Sequence, residues 1–470
     1  MRSLVTDYLV VGGGATALSF VDVLLDESAA DCLIVDRRER VGGHWNDAYP
    51  FVRLHQPSAW YGVPSRRIAE DDEDAASTDA QGAPAHVVLA YFEQLLHERF
   101  LPSGRVSWMP SSEYRRRDDG AHVVRSLLTG EECVVTVRRR VVDATLTQTE
   151  IPATHPPTYR VATEVSVIPP NAIDTLADHD RTVVDRTFVD RTFVVIGAGK
   201  TGIDSCLHLL DIGVPPSQIR WVMPRDAWFM DRANMQPGRA HLPTSLPSLA
   251  AHYDALATFN TLDALFTDLE AKGVLHRLDP SVQPTKCRGA NVSRREMARL
   301  RTIEGIVRMG HVVAIESSRV ILEHGAFDVP AGTVFVNCSA TAVRTPATMP
   351  IFEGDLIRLL MVSWGQPLFS AALCAFVESQ PLDDAERNAL CRPVLFPNEL
   401  SDWPVMWAAT LANAAQWRQH PAVHEWVRRC RLNVPTILLS GVSPTEPDVK
   451  NLLRQIATAA ASAAARLATQ

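Results

Sequence analysis

Two glycine-rich loops constrain the fold of this 470-residue chain more than any other feature. Each follows an apolar run and has the pattern G-x-G-x-x-G/A, in Gly12-Gly-Gly14-Ala-Thr-Ala17 and in Gly197-Ala-Gly199-Lys-Thr-Gly202. The first glycine of such a loop permits a tight turn, and the second lets a pyrophosphate approach the backbone. The small third residue lets the following helix pack on the strand. One loop is a weak signal, but a pair favours two bound dinucleotides between which electrons pass.

Apolar strands and amphipathic helices flank both loops and predict two βαβ units. The expected strand, helix and strand are 7–11, 15–27 and 32–36 in the first unit, and 192–196, 200–212 and 219–223 in the second. The fold class is therefore α/β, with two Rossmann-like dinucleotide-binding domains, the second inserted in the first, and a helical C-terminal part. The expected domain bounds are 1–155 for the first part of the first domain, 190–330 for the second domain, and 331–470 for the return and the helical part.

Weaker patterns fill in the rest of the chain. Helices are expected over 86–99, 260–272, 293–308 and 449–467, a strand meander over 121–144, and a buried strand over 334–338 near the return to the first domain. The acidic run in 66–85 is typical of a solvated surface loop. The five-residue repeat in 180–195 is too short for a solenoid module, and we interpret it as a linker duplication.

Composition excludes several classes of function. A net charge of −8 and a pI near 6.0 argue against a broad nucleic-acid surface. No signal-peptide pattern and no uncharged apolar stretch long enough to span a membrane is found, so a cytoplasmic protein with no membrane partner is expected. The eight cysteines are scattered without a C-x-x-C pair, which favours free thiols over a zinc or redox site. No metal site is expected, and the oligomeric state stays open.

The residues after each loop indicate which nucleotide it binds. Asp36 ends the second strand of the first unit, where a carboxylate accepts both ribose hydroxyls of FAD or NAD and repels a 2′-phosphate. In the second unit, Arg225 and the loop residue Lys200 provide cations for the 2′-phosphate of NADPH. Asp226 weakens that preference. Arg232 is either a further cation for the phosphate or an exposed loop arginine.

The segment after Asp36 carries a family resemblance. Arg40-Val-Gly42-Gly43-His44-Trp45, followed by Tyr49-Pro50-Phe-Val-Arg53-Leu54-His55-Gln56-Pro57, resembles the flavin-containing monooxygenases and the related Baeyer–Villiger enzymes. Val142-Asp-Ala144-Thr145 with Ile151-Pro152 is similar to the crossing between the two domains of that family. The resemblance covers most of 5–60, about 140–152, and 190–232.

The chain departs from the family pattern at three places. The fingerprint F-x-G-x-x-x-H before the second loop is absent, and Pro157-Thr-Tyr159-Arg160 stands in that region. Leu146 replaces the glycine of Ala-Thr-Gly. His55 stands where Baeyer–Villiger enzymes carry an aspartate beside the flavin. Because of these departures, the resemblance supports substrate oxygenation less strongly than it supports the fold and the cofactors.

The resemblance implies an oxidoreductase that uses FAD and NADPH, in which a flavin C4a-(hydro)peroxide oxygenates a small molecule with O2. The flavin supplies the hard chemistry and the protein supplies orientation and exclusion of water. One alternative is an NAD(P)H-dependent flavoprotein reductase or oxidase without substrate oxygenation. A second alternative is a non-catalytic, nucleotide-binding redox sensor. The substrate itself is not indicated by the sequence.

Candidate site residues follow from the loops and the resemblance. His55 is a catalytic candidate that stabilises a peroxide or moves a proton, and Arg53 is a second catalytic candidate. For each residue the alternative is a structural role, as a hydrogen-bonded histidine that supports the loop or as an arginine in an ion pair. Trp228 and the pair Trp60-Tyr61 line a substrate pocket or pack in the core. The expected cofactor-binding residues are Gly12, Gly14, Ala17, Asp36, Gly43, Trp45 and Gln56 for FAD, and Gly197, Gly199, Lys200, Thr201, Gly202 and Arg225 for NADPH.

Overall fold

The computed structural model describes residues 2–68, 82–146, 149–178, 191–340 and 349–469. Most of the predicted acidic loop and the repeat up to residue 190 lie outside the described residues. The strands are β1 (Arg2–Val11), β2 (Cys32–Val35), β3 (Val106–Met109), β4 (Ser112–Arg116), β5 (His122–Ser126), β6 (Glu132–Asp143), β7 (Arg160–Val161), β8 (Val167–Ile168), β9 (Phe193–Ile196), β10 (Ile219–Val222), β11 (Ala227–Asp231), β12 (Leu275–Arg277), β13 (Lys286–Val292), β14 (Gly305–Val307), β15 (Val312–Glu316), β16 (Arg319–Leu322), β17 (Gly325–Asp328), β18 (Val334–Asn337), β19 (Phe352–Glu353) and β20 (Leu356–Arg358).

The helices occupy both glycine-loop units and most of the C-terminal part. They are α1 (Ala15–Glu27), α2 (Ala85–Leu95), α3 (Thr175–Asp178), α4 (Lys200–Asp211), α5 (Leu242–Thr258), α6 (Leu262–Ala271), α7 (Arg294–Leu300), α8 (Pro367–Ser379), α9 (Asp384–Leu390), α10 (Asp402–Gln419), α11 (Pro421–Arg429), α12 (Val434–Leu438) and α13 (Pro447–Leu467). None of the described helices is both long and apolar enough to cross a membrane.

The first sheet contains the first glycine loop. Its strand order is β19-β20-β6-β1-β2-β3, with the β4–β5 hairpin attached to β6. The core strands β6, β1, β2 and β3 run parallel, and β2 is buried along its whole length, as expected for a parallel strand covered on both faces. Helix α1 leads from β1 to β2 and packs against α8, where the Ser19 hydroxyl donates to the Leu368 carbonyl at 2.8 Å. The C-terminal part thus closes over the first unit.

The second sheet contains the second glycine loop. Its order is β14-β10-β9-β18-β8, and every pair is parallel. Strand β18 pairs with β9, and β20 is the strand that returns to β6 in the first sheet. The predicted α/β class with two Rossmann-like units is confirmed. The predicted domain bounds stay predictions, although the pairing ties 160–168 and 334–337 to strands of the second unit.

One predicted element is wrong in its extent. The helix expected over 293–308 ends at Leu300, and β14 follows it. Gly305 stands opposite Arg220 in the β10–β14 register, and a Cβ at this glycine would lie 2.6 Å from the Ile219 carbonyl oxygen. The edge of β10 therefore recruits residues 305–307 as a strand, since tertiary pairing overrides local periodicity.

All eight cysteines are buried free thiols, as expected from their scattered spacing. Trp228 is fully buried and stacks on Phe266 with ring centroids 5.8 Å apart, in the core between β11 and α6. Its role in the fold is therefore packing.

Candidate functional site

The first glycine loop has the backbone geometry that its sequence predicts. Gly12 has a φ of 100°, a left-handed conformation that a residue with a side chain adopts at a cost. Gly14 is the N-cap of α1, so no side chain covers the N–H groups of the first helical turn. Ala17, at the third position of the pattern, is fully buried where the helix packs on the sheet. The helix N-terminus is thus shaped for a phosphate group.

Asp36 is fixed at the edge of this loop. Its carboxylate accepts from the Gly13 N–H at 2.5 Å and from the Arg38 N–H at 2.7 Å, and the residue is 7% exposed. Since a carboxylate has about four acceptor positions, both oxygens retain capacity for ribose hydroxyls. This placement agrees with the predicted ribose contact, which stays a prediction.

The Gly42-Gly43 pair brings a second backbone segment against the loop. Gly42 donates its N–H to the Gly13 carbonyl at 2.8 Å, and a Cβ at Gly43 would lie 3.0 Å from the Gly14 Cα. Trp45 follows in a short 3₁₀ helix, and its indole N–H donates to the Tyr61 hydroxyl at 2.8 Å. The predicted FAD residues from 12 to 45 therefore lie around one loop.

The second glycine loop is built in the same way. Gly197 has a φ of 126°, and a Cβ there would lie 2.6 Å from the Cys338 carbonyl oxygen. Gly199 is the N-cap of α4, and a Cβ at this position would meet no atom within 4 Å. A Cβ at Gly202 would lie 2.0 Å from the Gly197 carbonyl oxygen. The first and third glycines are thus required by packing, whereas the second leaves open space.

Lys200 is linked through an acidic neighbour to Tyr49, in the segment that follows the first loop unit. Its ammonium group contacts the carboxylate of Asp204, one helical turn further along α4. The Tyr49 hydroxyl donates to the other oxygen of Asp204 at 2.7 Å, and Thr201 also hydrogen-bonds Tyr49. Burial and the Asp204 charge raise the pKa of Tyr49 well above its usual range, so this hydroxyl stays a donor. The predicted roles of Lys200 and Thr201 toward NADPH stay predictions.

The cations at the far end of the second unit are also paired. Arg225 makes a bidentate ion pair with Glu399, at 2.8 and 2.6 Å, and donates to the Thr285 carbonyl at 2.6 Å. Asp226, expected to disfavour a 2′-phosphate, is held by Arg308 at 2.8 and 3.0 Å. The Asp226 charge is therefore largely balanced within the protein.

A cleft of about 390 Å³ opens where the two loop units meet. Arg53, Lys200 and Arg232 contribute its cations, and Asp204 and Glu296 contribute carboxylates. The interpretation of Arg232 as an exposed loop arginine is wrong, because the residue is 2% exposed and its Nη2 donates to both Glu296 carboxylate oxygens, at 3.0 and 2.7 Å. The cleft is thus lined by both Arg53, a predicted catalytic residue, and Lys200, a predicted nucleotide-binding residue.

His55 lies beside this cleft. Its carbonyl accepts from the Arg232 Nε–H at 3.2 Å, and its imidazole feels the charges of Lys200 and Arg232. Burial, followed by these two charges, holds the pKa of His55 well below its usual range. The imidazole is therefore neutral at pH 7, which favours a hydrogen-bonding role over a cationic one. Gln56, the next residue, donates its side-chain N–H to the Gly365 carbonyl at 3.3 Å.

Sequence reasoning missed the carboxylates that pair with the site cations. Asp204 had a detectable signal, since a residue four positions after Lys200 on a helix shares its face. Glu296 and Glu399 had none, because they come from elements distant in sequence from Arg232 and Arg225.

No protein-family model matches the chain. Uncharacterised proteins of Mycobacterium tuberculosis and Mycobacterium bovis are 40% identical to it over 446 residues, which is 94% of this chain and 80% of each relative. Among solved structures, an oxidised steroid monooxygenase bound to NADP has a TM-score of 0.50 and 14% identity, with 98% of both chains covered. An open structure of cyclohexanone monooxygenase has a TM-score of 0.50 and 12% identity, with 88% of this chain and 97% of the other covered.

Proposed function

The chain belongs to one family with these mycobacterial proteins and has the fold of the class B flavoprotein monooxygenases, and from this premise we propose that it is an FAD-dependent, NADPH-using monooxygenase acting on a small molecule. The observation that carries the proposal is the shared cleft. Lys200 begins the helix of the second glycine loop, and Arg53 belongs to the segment that follows the first loop, yet both line one cavity. Two nucleotides on these loops would approach each other there.

The first loop fits the pyrophosphate and ribose of FAD. Gly12 and Gly14 leave the α1 N-terminus open, and Asp36 provides a buried acceptor one strand away. The approach of the two backbones makes a side chain at Gly43 tight, since its Cβ would lie 3.0 Å from the Gly14 Cα. Gly43 and Trp45 would then border a bound flavin, and Gln56 supports the segment that carries His55.

The second loop fits a nicotinamide dinucleotide. The open space above Gly199 is the position at which a pyrophosphate approaches the backbone in this class of loop. Gly197 and Gly202 pack the turn and the helix, and Lys200 and Thr201 begin α4. Arg225 follows β10, where a cation that recognises a 2′-phosphate is expected.

A bound flavin would supply hydride acceptance from the nicotinamide and activation of O2, so this chain's residues need only bind, orient and shield the reactants. His55 contributes a neutral imidazole, which can donate one hydrogen bond and accept another without carrying charge. Arg53 supplies positive charge to the cleft, whereas the charge of Lys200 is paired with Asp204. Buried Arg232 fixes the His55 carbonyl and so the position of that loop.

Anaerobic titration of the purified, FAD-loaded protein with NADPH tests the proposal. The expected result is bleaching of the flavin absorbance, followed on admission of isotopically labelled O2 by oxygen consumption and incorporation of the label into an added ketone, amine or thioether. Reduction with oxygen consumed only as hydrogen peroxide across all three substrate classes would instead identify a reductase or oxidase. Binding of both nucleotides without bleaching would identify a redox sensor.

A further inference from the structure

The carboxylate of Glu399 holds the guanidinium of Arg225, the cation expected to recognise a nucleotide 2′-phosphate. Four N–H contacts of the Arg225 guanidinium are made within the protein, two to Glu399 and two to Thr285. A planar guanidinium has five such donors. A phosphate that pairs bidentately with Arg225 must therefore displace Glu399 or share the guanidinium with it.

A second cation faces the same carboxylate. Lys286 begins β13 next to Thr285, and the hydrogen bond from Arg225, followed by the charges of Arg225 and Lys286, lowers the pKa of Glu399. Burial, then the charges of Arg225 and Arg288, lower the pKa of Lys286. Two cations thus face one carboxylate, a charge arrangement suited to an anion of higher charge than a single carboxylate.

The position of Glu399 is set by the start of helix α10, which follows it in the chain. Its backbone N–H donates to the Asp402 carboxylate at 2.8 Å, at the start of α10. The ion pair with Arg225 is partly solvated, since the Glu399 side chain is 47% exposed and the Arg225 side chain is 32% exposed. A partly solvated pair has a modest interaction energy, so a competing ligand can replace it.

We propose that Glu399 is a selectivity-determining residue, whose carboxylate competes with the 2′-phosphate of NADPH for Arg225 and so weakens the preference for NADPH over NADH. This inference rests on the proposed binding of a nicotinamide dinucleotide at the second glycine loop. The adenosine half that NADH and NADPH share is unaffected, because Glu399 opposes only the extra phosphate.

The experiment compares two probes that differ by this phosphate. Binding of adenosine 2′,5′-bisphosphate and of adenosine 5′-monophosphate to the full-length protein is measured by calorimetry at low salt. Glu399→Gln is expected to strengthen bisphosphate binding roughly three- to tenfold, since it removes a competing pair and a like charge, with monophosphate binding unchanged. The gain shrinks at high salt because exposed charges are screened.

Two further variants make the result specific. Glu446→Gln removes another glutamate–arginine pair of the C-terminal part, with Arg239, and is expected to change neither affinity. In an Arg225→Gln background, Glu399→Gln is expected to lose its effect, because the contested guanidinium is gone. Circular dichroism checks that each variant is folded.

Unchanged or weaker bisphosphate binding by a folded Glu399→Gln variant would overturn the inference, and the proposed function would stand if the unsubstituted protein binds both probes. A protein that binds neither probe would overturn both.

Discussion

Gly202→Ala is the substitution whose cost the structure defines most directly. The added methyl would lie 2.0 Å from the Gly197 carbonyl oxygen and 3.0 Å from its carbon, so backbone must move. Overpacking costs about 3 kcal/mol at such a contact. The same carbonyl accepts from the Trp221 indole at 2.8 Å, and losing that bond costs about 1 kcal/mol. Alanine recovers about 1 kcal/mol of helix propensity.

The net expectation is a loss of about 3 kcal/mol in the free energy of unfolding. Urea unfolding monitored by tryptophan fluorescence measures it. Gly199→Ala is the matched control, since its methyl meets no atom within 4 Å and the backbone φ is −79°. That variant should lose less than about 1 kcal/mol of stability but bind nicotinamide dinucleotides poorly, because the methyl occupies the pyrophosphate approach. A Gly202→Ala protein as stable as the unsubstituted chain would refute the packing argument.

Three other expectations follow from buried polar groups. Asp36→Asn should weaken FAD binding about tenfold, since it removes the charged carboxylate expected to accept the ribose hydroxyls. Flavin content after gel filtration measures the loss, and full retention of FAD would contradict the ribose contact. Arg232→Met should lower the free energy of unfolding by about 3–5 kcal/mol in urea titrations by leaving Glu296 buried without its partner, and a stable Arg232→Met protein would contradict the pairing. Burial lowers the pKa of His252 to about 3 in the folded chain, whereas the unfolded histidine has a pKa of about 6.5. As the pH drops below about 6.5 the unfolded chain is protonated before the folded chain, so the free energy of unfolding falls. At pH 5.5 the loss is about 1.4 kcal/mol, and urea titrations of a His252→Gln protein at pH 7.5 and 5.5 should lack it; an unchanged pH dependence would contradict the burial argument.

The local parts of the fold could be predicted from sequence because their physics is local. A strand, a glycine turn and a helix are adjacent in the chain, so α1 and β2 match the predicted bounds to within one residue, whereas β1 begins at Arg2 rather than at residue 7. Strand β14 could not be predicted, because only the edge of β10 turns residues 305–307 into a strand.

The candidate site likewise contains features that neighbouring residues encode and features that depend on residues distant in sequence. The backbone geometry of the loop glycines and the placement of Asp36 could be predicted, because each depends on its own backbone neighbourhood. The carboxylate partners of the cations could not, because nothing near Arg225 in sequence encodes Glu399, and nothing near Arg232 encodes Glu296.

These carboxylates change how the second glycine loop can recognise an anion. In the described structure, Lys200 pairs with Asp204, and Arg225 pairs with Glu399. A phosphate that approaches either cation gains only the difference between its own interaction and the one that it replaces. On the proposed binding, charge attraction alone would therefore contribute little net affinity, and the open backbone above Gly199 would supply most of it through N–H groups. Selectivity between nucleotides would then depend on how firmly each carboxylate is held, for Asp204 by the Tyr49 hydroxyl and for Glu399 by the bond to Asp402 at the start of α10.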